Sequence, residues 1–280
     1  MNIKDFIKVL PNQKTPFAAL IGEKTYYSVS PLMHNSAAKY YNLNFEYYAL
    51  DVLNNDFHLI PAVLNHDLCM GFNITIPYKK KILAFVDQKS ELVRNLNAAN
   101  VIYKFKNEIY AENTDVEGFI YPLQQISEIS KITKAFIFGS GGASRAAEAG
   151  LKLLGIKNVQ IISRTPTPNQ LSYENWMDDI DENDNVVLVN GSPLGMTNMQ
   201  DKSPITYAEL LKVKPSICYD LIYNPSKTLF LRQAEDAGVL YCINGLEMLI
   251  RQGSAAFTIW NKKGFPIDHV KLSLLESTKI

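Results

Sequence analysis

A short apolar segment, Ala135 to Phe138, runs directly into Gly139-Ser140-Gly141-Gly142-Ala143 and then into a helical stretch that reaches Leu154. A strand, a glycine turn and a helix in this order are what a dinucleotide site in a parallel α/β domain requires. Gly139 permits the tight turn, and Gly141 lets backbone N–H groups approach a pyrophosphate at the positive end of the helix. The pattern predicts a dinucleotide-binding domain. For the motif alone, the alternative is a structural strand-to-helix turn.

The next apolar strand, residues 158–162, ends in Ser163-Arg164-Thr165. A site selective for NAD commonly has Asp or Glu at this strand end to bind the ribose 2′-hydroxyl, whereas a cation with neighbouring hydroxyls suits a 2′-phosphate. The sequence therefore favours NADP as the cofactor. The alternative is that Arg164 is a solvated loop residue.

A second group of polar residues precedes this region. Asn73 and Thr75 are two positions apart on a predicted strand, so their side chains share one face while Ile74 and Ile76 take the other. Pro77 suits the first turn of a helix, which would place Lys79 in that turn.

Lys79 and Asp115 would together form a proton-handling pair for a small polyhydroxylated substrate. Considered separately, each has a simpler interpretation. Lys79 can be a solvated lysine in the run 79–81, and Asp115 can be a helix-start carboxylate behind an N-capping Thr114.

Apolar, β-branched segments alternate with helical patterns along the whole chain, which is typical of a parallel α/β protein. Predicted strands lie at 17–21, 45–50, 69–75, 100–105, 109–112, 135–138, 158–162, 185–189, 216–221 and 239–243, with 100–105 and 109–112 forming a hairpin. Predicted helices lie at 31–42, 54–64, 78–86, 88–96 and 246–261. The spacing of apolar residues in 1–13 predicts a short amphipathic helix rather than a targeting signal.

Composition narrows the class of function. The 280 residues carry 28 Lys plus Arg and 28 Asp plus Glu without long runs of one sign, which argues against nucleic acid or an anionic membrane as a partner. The chain has no apolar stretch of about 18 residues, so we expect no membrane span. Cys69, Cys218 and Cys242 are far apart and suit reduced thiols in a cytoplasmic protein. No cysteine or histidine has metal-site spacing, so no metal is expected.

Several uncommon motifs follow one another in a characteristic order. They are Ser28-Val29-Ser30-Pro31-Leu32-Met33-His34-Asn35, Asn73 to Lys79, Asn113 to Gly118, Asn190-Gly191-Ser192-Pro193-Leu194-Gly195, Asp220 to Pro225, and Gly245-Leu246-Glu247-Met248-Leu249 with Gln252. From about Phe17 to Phe265 the chain thereby resembles the shikimate dehydrogenase family.

The resemblance implies a fold and a reaction. The fold is α/β with two domains: an N-terminal substrate-binding catalytic domain with a parallel sheet, residues 1–114 and 246–280, and an inserted Rossmann-like NADP-binding domain, residues 115–245. The implied reaction is the reversible NADPH-dependent reduction of 3-dehydroshikimate to shikimate, a step toward chorismate and the aromatic amino acids.

The resemblance also implies roles for individual residues. Lys79 would neutralise and protonate the ketone oxygen, with Asp115 orienting the lysine. The implied substrate-binding residues are Ser28, Ser30, Asn73, Thr75, Asn100, Tyr223 and Gln252, although Ser30 before Pro31 can instead cap a helix. The implied cofactor-binding residues are Gly139, Ser140, Gly141, Gly142, Ala143, Ser163, Arg164, Thr165, Asn190 and Gly245.

The chain departs from the family pattern at a few positions. Lys24 and Tyr27 replace a proline and a histidine, Val101 replaces a threonine, and Glu247 replaces a glycine. Because Tyr27 and Val101 alter the rim of the implied pocket, preference for quinate over shikimate is one alternative. Others are a catalytically silent sensor of a metabolite or NADP, and a relative of methylenetetrahydrofolate dehydrogenase. Monomer and homodimer are both compatible with the sequence.

Overall fold

The structure is a computed structural model that describes residues 1–277 and divides into two compact units. The first unit contains Met1–Thr114 and the chain from Gly253, and the second contains Asp115–Gln252. The sequence predicts a return to the first domain at residue 246, whereas the units divide between Gln252 and Gly253, inside one continuous helix. The last three residues of the predicted 246–280 segment lie outside the described residues.

The strands and helices follow one another along the chain as alternating elements. The strands are β1 (Phe17–Gly22), β2 (Glu46–Asp51), β3 (Cys69–Ile74), β4 (Gln88–Lys89), β5 (Val101–Phe105), β6 (Glu108–Glu112), β7 (Lys134–Phe138), β8 (Asn158–Ile162), β9 (Val186–Asn190), β10 (Ile217–Asp220) and β11 (Tyr241–Ile243). The helices are α1 (Ile3–Val9), α2 (Ser30–Tyr40), α3 (Ile60–Leu64), α4 (Glu91–Leu96), α5 (Asp115–Gln124), α6 (Gly142–Leu153), α7 (Tyr207–Val213), α8 (Leu229–Asp236), α9 (Leu246–Asn261) and α10 (Ile267–Glu276).

The sheet of the first unit has six strands in the order β2-β1-β3-β5-β6-β4. Strands β2, β1 and β3 are parallel, whereas β5 is antiparallel to both β3 and β6. The predicted α/β class and the predicted hairpin are therefore confirmed. The antiparallel pairing of β3 with β5 has a consequence for function, because it brings the residue before β5 to the carboxyl end of β3.

The sheet of the second unit has five parallel strands in the order β11-β10-β9-β7-β8. Counted from its first strand this is the doubly wound order 2-1-3-4-5, in which ligands bind outside the carboxyl ends near the point where the order reverses. That point lies between β7 and β9. All residues of β7, β9 and β10 are buried, as expected for parallel strands with both faces covered.

Three predicted helices in the first unit are wrong in kind or extent. Residues 54–64 form a 3-10 helix, Asn54–Leu59, before α3 begins. Residues 78–86 form only a 3-10 helix, Lys81–Phe85, and residues 88–96 begin as the short strand β4. The apolar spacing was present in all three segments, but their apolar residues pack onto the sheet edge within single turns, too short for a continuous α-helix.

The first residues of the chain are part of the core of the first unit. Asn2 accepts a hydrogen bond from the Asp5 N–H and caps α1. The backbone of Met1 accepts a hydrogen bond from the Asp51 N–H at 2.8 Å, so this segment covers the outer edge of β2. The predicted amphipathic helix is confirmed, with Ile3 and Phe6 fully buried.

Among residues 1–277, no helix combines the length and the apolar character needed to cross a membrane.

We expect Phe6→Ala to lower the free energy of unfolding of the first unit by about 3–5 kcal/mol, the usual cost of emptying a phenylalanine site in a core. The Phe6 ring is 1% exposed and lies 5.4 Å from the Phe17 ring and 5.0 Å from the Tyr48 ring, between centroids. The two tryptophans of the chain lie in different units, so Trp260 fluorescence in a Trp176→Phe background reports on the first unit during urea unfolding.

The matched control is Val9→Ala on the same helix, because Val9 is 48% exposed. Equal losses for the two variants would contradict the packing assigned to α1.

Candidate active site

Two serines follow the carboxyl end of β1. The Ser28 hydroxyl accepts a hydrogen bond from the Ser30 N–H at 3.1 Å and donates to the Ser30 hydroxyl at 3.0 Å. Ser30 is the first residue of α2, whose capping position is Val29, so Ser30 is not the helix cap that the sequence allowed. Since Ser28 uses its hydrogen on Ser30, the pair presents the hydrogen of Ser30 to a ligand.

Asn73 and Asn100 meet at the carboxyl end of β3. The pairing of Asn73 with Val101 places Asn100 beside it, and the Asn73 side-chain N–H donates to the Asn100 carbonyl at 3.3 Å. Asn100 in turn donates to the Thr114 hydroxyl at 2.9 Å and accepts from the Thr114 N–H at 2.7 Å. Polar groups from the ends of three strands are thus joined at one edge of the sheet.

Lys79 lies in a turn rather than in the first turn of a helix, so that prediction is wrong. After β3 the chain reverses through a hydrogen bond from the Tyr78 N–H to the Thr75 carbonyl, 2.9 Å, and the peptide bond before Pro77 is cis. Pro77 lies within this reversal, and Ile76 is 68% exposed instead of sharing a buried face with Ile74. The Lys79 carbonyl accepts from the Ala99 N–H at 2.8 Å, which fixes Lys79 next to the residue before Asn100.

Thr75 also lies just beyond its predicted strand, beside the end of β1. A Cβ on Gly22 would overlap the Thr75 methyl carbon and would lie 3.0 Å from the Ile76 carbonyl oxygen. The close approach therefore requires glycine at position 22. It holds Thr75 at the same sheet edge as Asn73.

Asp115 and Gln252 belong to the second unit. Asp115 is the first residue of α5, and Gly118 lies one turn further along. A Cβ on Gly118 would lie 2.6 Å from the Met248 carbonyl and 3.0 Å from the Gln252 Cβ, so α5 and α9 approach closely there. Asp115 and Gln252 are thereby placed near this helix crossing. Lys79 is in the other compact unit, and its pairing with Asp115 stays a prediction.

The glycine turn after β7 has the geometry that a pyrophosphate requires. Gly139 has a φ of 106°, and a Cβ there would lie 3.0 Å from the Gly191 carbonyl oxygen and from the Ser192 nitrogen. Gly141 caps α6 without a side-chain hydrogen bond, and no atom lies within 4 Å of where its Cβ would be. The first N–H groups of α6, including those of Gly142 and Ala143, therefore face open space at the positive end of the helix. Ser140 is exposed in the same turn.

The segment after β8 is arranged around a buried serine. The Ser163 N–H donates to the Leu171 carbonyl at 2.9 Å, and its hydroxyl accepts from the Thr165 N–H at 3.3 Å. Arg164 is exposed between them. An exposed guanidinium flanked by hydroxyls suits a ribose 2′-phosphate.

Asn190 at the end of β9 is fully buried and holds the loop that follows. Its amide donates to the Leu194 carbonyl at 2.9 Å and to Asp220 at 3.1 Å, and its oxygen accepts from the Ser192 N–H at 3.1 Å and hydroxyl at 2.7 Å. Both donor hydrogens and both acceptor positions are thus used within the unit. Asn190 shapes the loop beside Gly139 rather than presenting its side chain to a ligand.

Asp220 at the end of β10 is a residue whose importance the sequence did not reveal. Besides the hydrogen bond from Asn190, its carboxylate accepts from the Ile222 N–H at 3.0 Å and from the Thr228 hydroxyl at 2.5 Å. The carboxylate has no exposed surface, and burial raises the pKa of Asp220 to about 6 although these three hydrogen bonds lower it. An aspartate ending an apolar strand was the available signal.

Tyr223 and Gly245 complete the predicted residues of the second unit. Tyr223 follows β10 and is half-buried, and burial raises the pKa of its phenol. A Cβ on Gly245 would overlap the Leu221 carbonyl oxygen, so glycine alone permits the contact between the segments after β10 and β11. Tyr223 and Gly245 both lie beyond the carboxyl ends of their strands.

A doubly wound parallel sheet whose first strand leads through a glycine turn into a helix with an open N-terminus defines a dinucleotide-binding α/β protein. Residues 20–102, in the other unit, match the family model described as the shikimate dehydrogenase substrate binding domain.

Known proteins extend this match over nearly the whole chain. Curated relatives named shikimate dehydrogenase (NADP(+)) are 33% identical in Gloeothece citriformis, covering 93% of this chain and 96% of the relative, and 36% identical in Prochlorococcus marinus strain MIT 9515, covering 88% and 92%. The crystal structure of shikimate 5-dehydrogenase from Thermus thermophilus with NADP(H) and shikimate superposes with a TM-score of 0.78 at 26% identity, covering 93% of this chain and 99% of that one. The chain belongs to the shikimate dehydrogenase family.

We expect Asp220→Asn to change how the stability of the second unit depends on pH. The pKa of Asp220, about 6 when folded, exceeds its ordinary value of 3.8, so the folded state keeps a proton that the unfolded state loses. The contribution of Asp220 to stability therefore falls as pH rises from about 4 to about 6. The total loss is roughly 3 kcal/mol, and it is absent in the variant.

The measurement is urea unfolding followed by Trp176 fluorescence in a Trp260→Phe background, with and without the Asp220→Asn change, from about pH 4 to about pH 7. A constant difference in unfolding free energy across that range would contradict a buried carboxyl that takes up a proton.

Proposed function

We propose that this chain catalyses the reversible NADPH-dependent reduction of 3-dehydroshikimate to shikimate. The observation that carries the proposal is the polar edge of the first sheet, Ser28 to Ser30 with Asn73 and Asn100, within a chain whose relatives of about the same length carry the name shikimate dehydrogenase (NADP(+)). A polyhydroxylated acid needs several fixed donors and acceptors, and this edge supplies them.

The substrate side of the proposal assigns Ser28, Ser30, Asn73, Thr75 and Asn100 to the carboxylate and hydroxyls of the ligand. Their support is structural, because each is held by backbone or side-chain hydrogen bonds before a ligand arrives. Fixed polar groups lose little conformational entropy on binding, which favours affinity and orientation. Tyr223 and Gln252 are assigned to the same ligand from the second unit.

The cofactor side assigns NADP to the second unit. Gly139, Ser140, Gly141, Gly142 and Ala143 would hold the pyrophosphate with their N–H groups, since the space beside Gly141 is open. Ser163, Arg164 and Thr165 would hold the 2′-phosphate. Asn190 and Gly245 would act through the loops that they shape. Residues 115–245 are accordingly proposed as the NADP-binding domain, and 1–114 with 246–280 as the substrate-binding domain.

The chemistry proposed for the chain's own residues is a proton transfer. When bound, NADPH supplies the hydride that reduces the ketone. The ketone oxygen then takes up negative charge, which the Lys79 ammonium neutralises and protonates, and in the reverse direction the lysine amine receives the hydroxyl proton. Asp115 is assigned to orient the lysine and to bind a neighbouring hydroxyl.

The proposed setting is a reducing compartment such as the cytoplasm. All three cysteines are free thiols, and Cys69 and Cys218 are buried among apolar residues. A biosynthetic enzyme acting on small molecules, as a monomer or a homodimer, fits this setting.

We expect the purified protein to reduce NADP with shikimate, and Lys79→Ala to lower kcat by at least about a hundredfold, the lower range for a positioned acid or base. The KM for shikimate should change less, because other residues hold its hydroxyls. The measurement is initial rates from the absorbance of the reduced nicotinamide. Lys80→Ala is the matched control, since the adjacent Lys80 keeps part of its surface in solvent.

Near-normal kcat in Lys79→Ala would remove the lysine from the mechanism. Turnover of quinate in preference to shikimate would move the substrate assignment, and no turnover with either acid would favour a silent binding protein.

We expect Arg164→Ala to raise the KM for NADP by about 10-fold to 100-fold, while the KM for NAD changes little. A hydrogen bond between a guanidinium and a phosphate contributes about 1.5–3 kcal/mol, and NAD lacks that phosphate. Lys157→Ala is the control, because it removes an exposed positive charge just before the opposite end of β8. Parallel increases in the KM for both cofactors would contradict a 2′-phosphate role.

A further inference from the structure

Asn73 is held by two partners in the first unit that fix which way its amide faces. Its Nδ2 donates to the backbone carbonyl of Asn100 at 3.3 Å, and its Oδ1 lies 2.7 Å from the Tyr47 hydroxyl. The side chain is buried, with 6% of Asn73 exposed. Both partners are distant along the chain, since Tyr47 is 26 positions away and Asn100 is 27 positions away.

The orientation of the amide follows from the chemistry of the two partners. A backbone carbonyl can only accept hydrogen bonds, so the amide nitrogen of Asn73 must face Asn100. The amide oxygen therefore faces Tyr47, whose hydroxyl must donate. Burial raises the pKa of Tyr47 well above its ordinary value, so the phenol keeps this hydrogen at every pH at which the protein is folded.

Tyr47 itself is rigidly placed. Its ring stacks on the His34 ring with 4.0 Å between centroids and 3° between planes, and Trp260 lies at 6.1 Å. Its backbone N–H and carbonyl are bound by the Asn35 side chain at 2.8 and 2.9 Å. Burial lowers the pKa of His34 to about 3, so the stacked imidazole stays neutral and the stack does not change near neutral pH.

We propose that Tyr47 is a positioning residue that fixes Asn73 as a hydrogen-bond donor toward the substrate. One amide hydrogen of Asn73 is used on Asn100, and the other is presented at the carboxyl end of β3. Asn73 therefore donates to a hydroxyl oxygen of the bound acid and selects ligands with an acceptor there. This inference rests on the proposed function for the identity of the ligand, but the fixed amide is a property of the free protein.

The first test uses the free protein and does not depend on the reaction. With asparagine side chains labelled with ¹⁵N, the Asn73 NH₂ signals are assigned by their loss in Asn73→Ala. We expect Tyr47→Phe, which keeps the ring and deletes the hydroxyl, to shift these signals and speed their hydrogen exchange. Tyr48→Phe is the matched control on the same strand, because the Tyr48 hydroxyl bonds Gln13 and Glu46 instead. Unchanged Asn73 signals in Tyr47→Phe would overturn the proposal.

The second test is kinetic and separates positioning from general structure. We expect Tyr47→Phe to raise the KM for shikimate by about threefold to tenfold, the range of one net hydrogen bond, with kcat and the KM for NADP nearly unchanged. In an Asn73→Ala background the same change should have almost no further effect on the KM for shikimate, because Tyr47 acts through Asn73. An equal increase in both backgrounds would show that Tyr47 acts independently and would overturn the proposal.

The two tests distinguish the failure of each idea. Absence of shikimate turnover in the wild type contradicts the proposed function, while the NMR comparison still decides whether Tyr47 fixes Asn73. Normal wild-type turnover with an unchanged KM in Tyr47→Phe contradicts the inference alone.

Discussion

The candidate substrate site depends on one backbone carbonyl, that of Asn100. It accepts the Ile74 N–H at 2.8 Å as part of the pairing between β3 and β5, and it also accepts the Asn73 side chain. A buried amide without a partner costs about 1–3 kcal/mol, so the antiparallel pairing determines the direction of the Asn73 amide as well as the register of the sheet. The same residue's side chain holds Thr114, immediately before Asp115. The polar edge is therefore organised by strand pairing before any ligand binds.

The second unit follows the same principle with a charged group. Asp220 receives hydrogen bonds from Asn190, Ile222 and Thr228, and these connect the end of β9, the end of β10 and the cap of α8. Because Asn190 also holds the loop at Ser192, the positions of two loops at the carboxyl edge depend on one buried carboxylate. Meanwhile the first turn of α6 has no side-chain cap. The framework is saturated with hydrogen bonds, and the proposed phosphate-binding turn is the part left open.

Local chemistry made the second unit easier to predict than the first. The segment from Ala135 to Leu154 follows the strand, turn and helix order because glycine and chain direction act within a few residues. Pro77 misled the prediction of a helix at Lys79, because proline suits both a helix start and a tight turn, and the choice depends on the contact with Gly22. The importance of Tyr47 and Asp220 could not be predicted, since their partners come from other strands and depend on register. The roles of Lys79 and Asp115 stay predictions carried by motif resemblance.

The most direct test of the account is a crystal structure of the protein with shikimate bound. We expect the acid at the carboxyl edge of the first sheet, with one hydroxyl oxygen accepting a hydrogen bond from the Asn73 side-chain nitrogen and with Lys79 beside the hydroxyl that is oxidised. Tyr47 should keep its hydrogen bond to the Asn73 oxygen. Shikimate bound away from Asn73, or bound to an Asn73 amide turned so that its oxygen faces the ligand, would contradict the account.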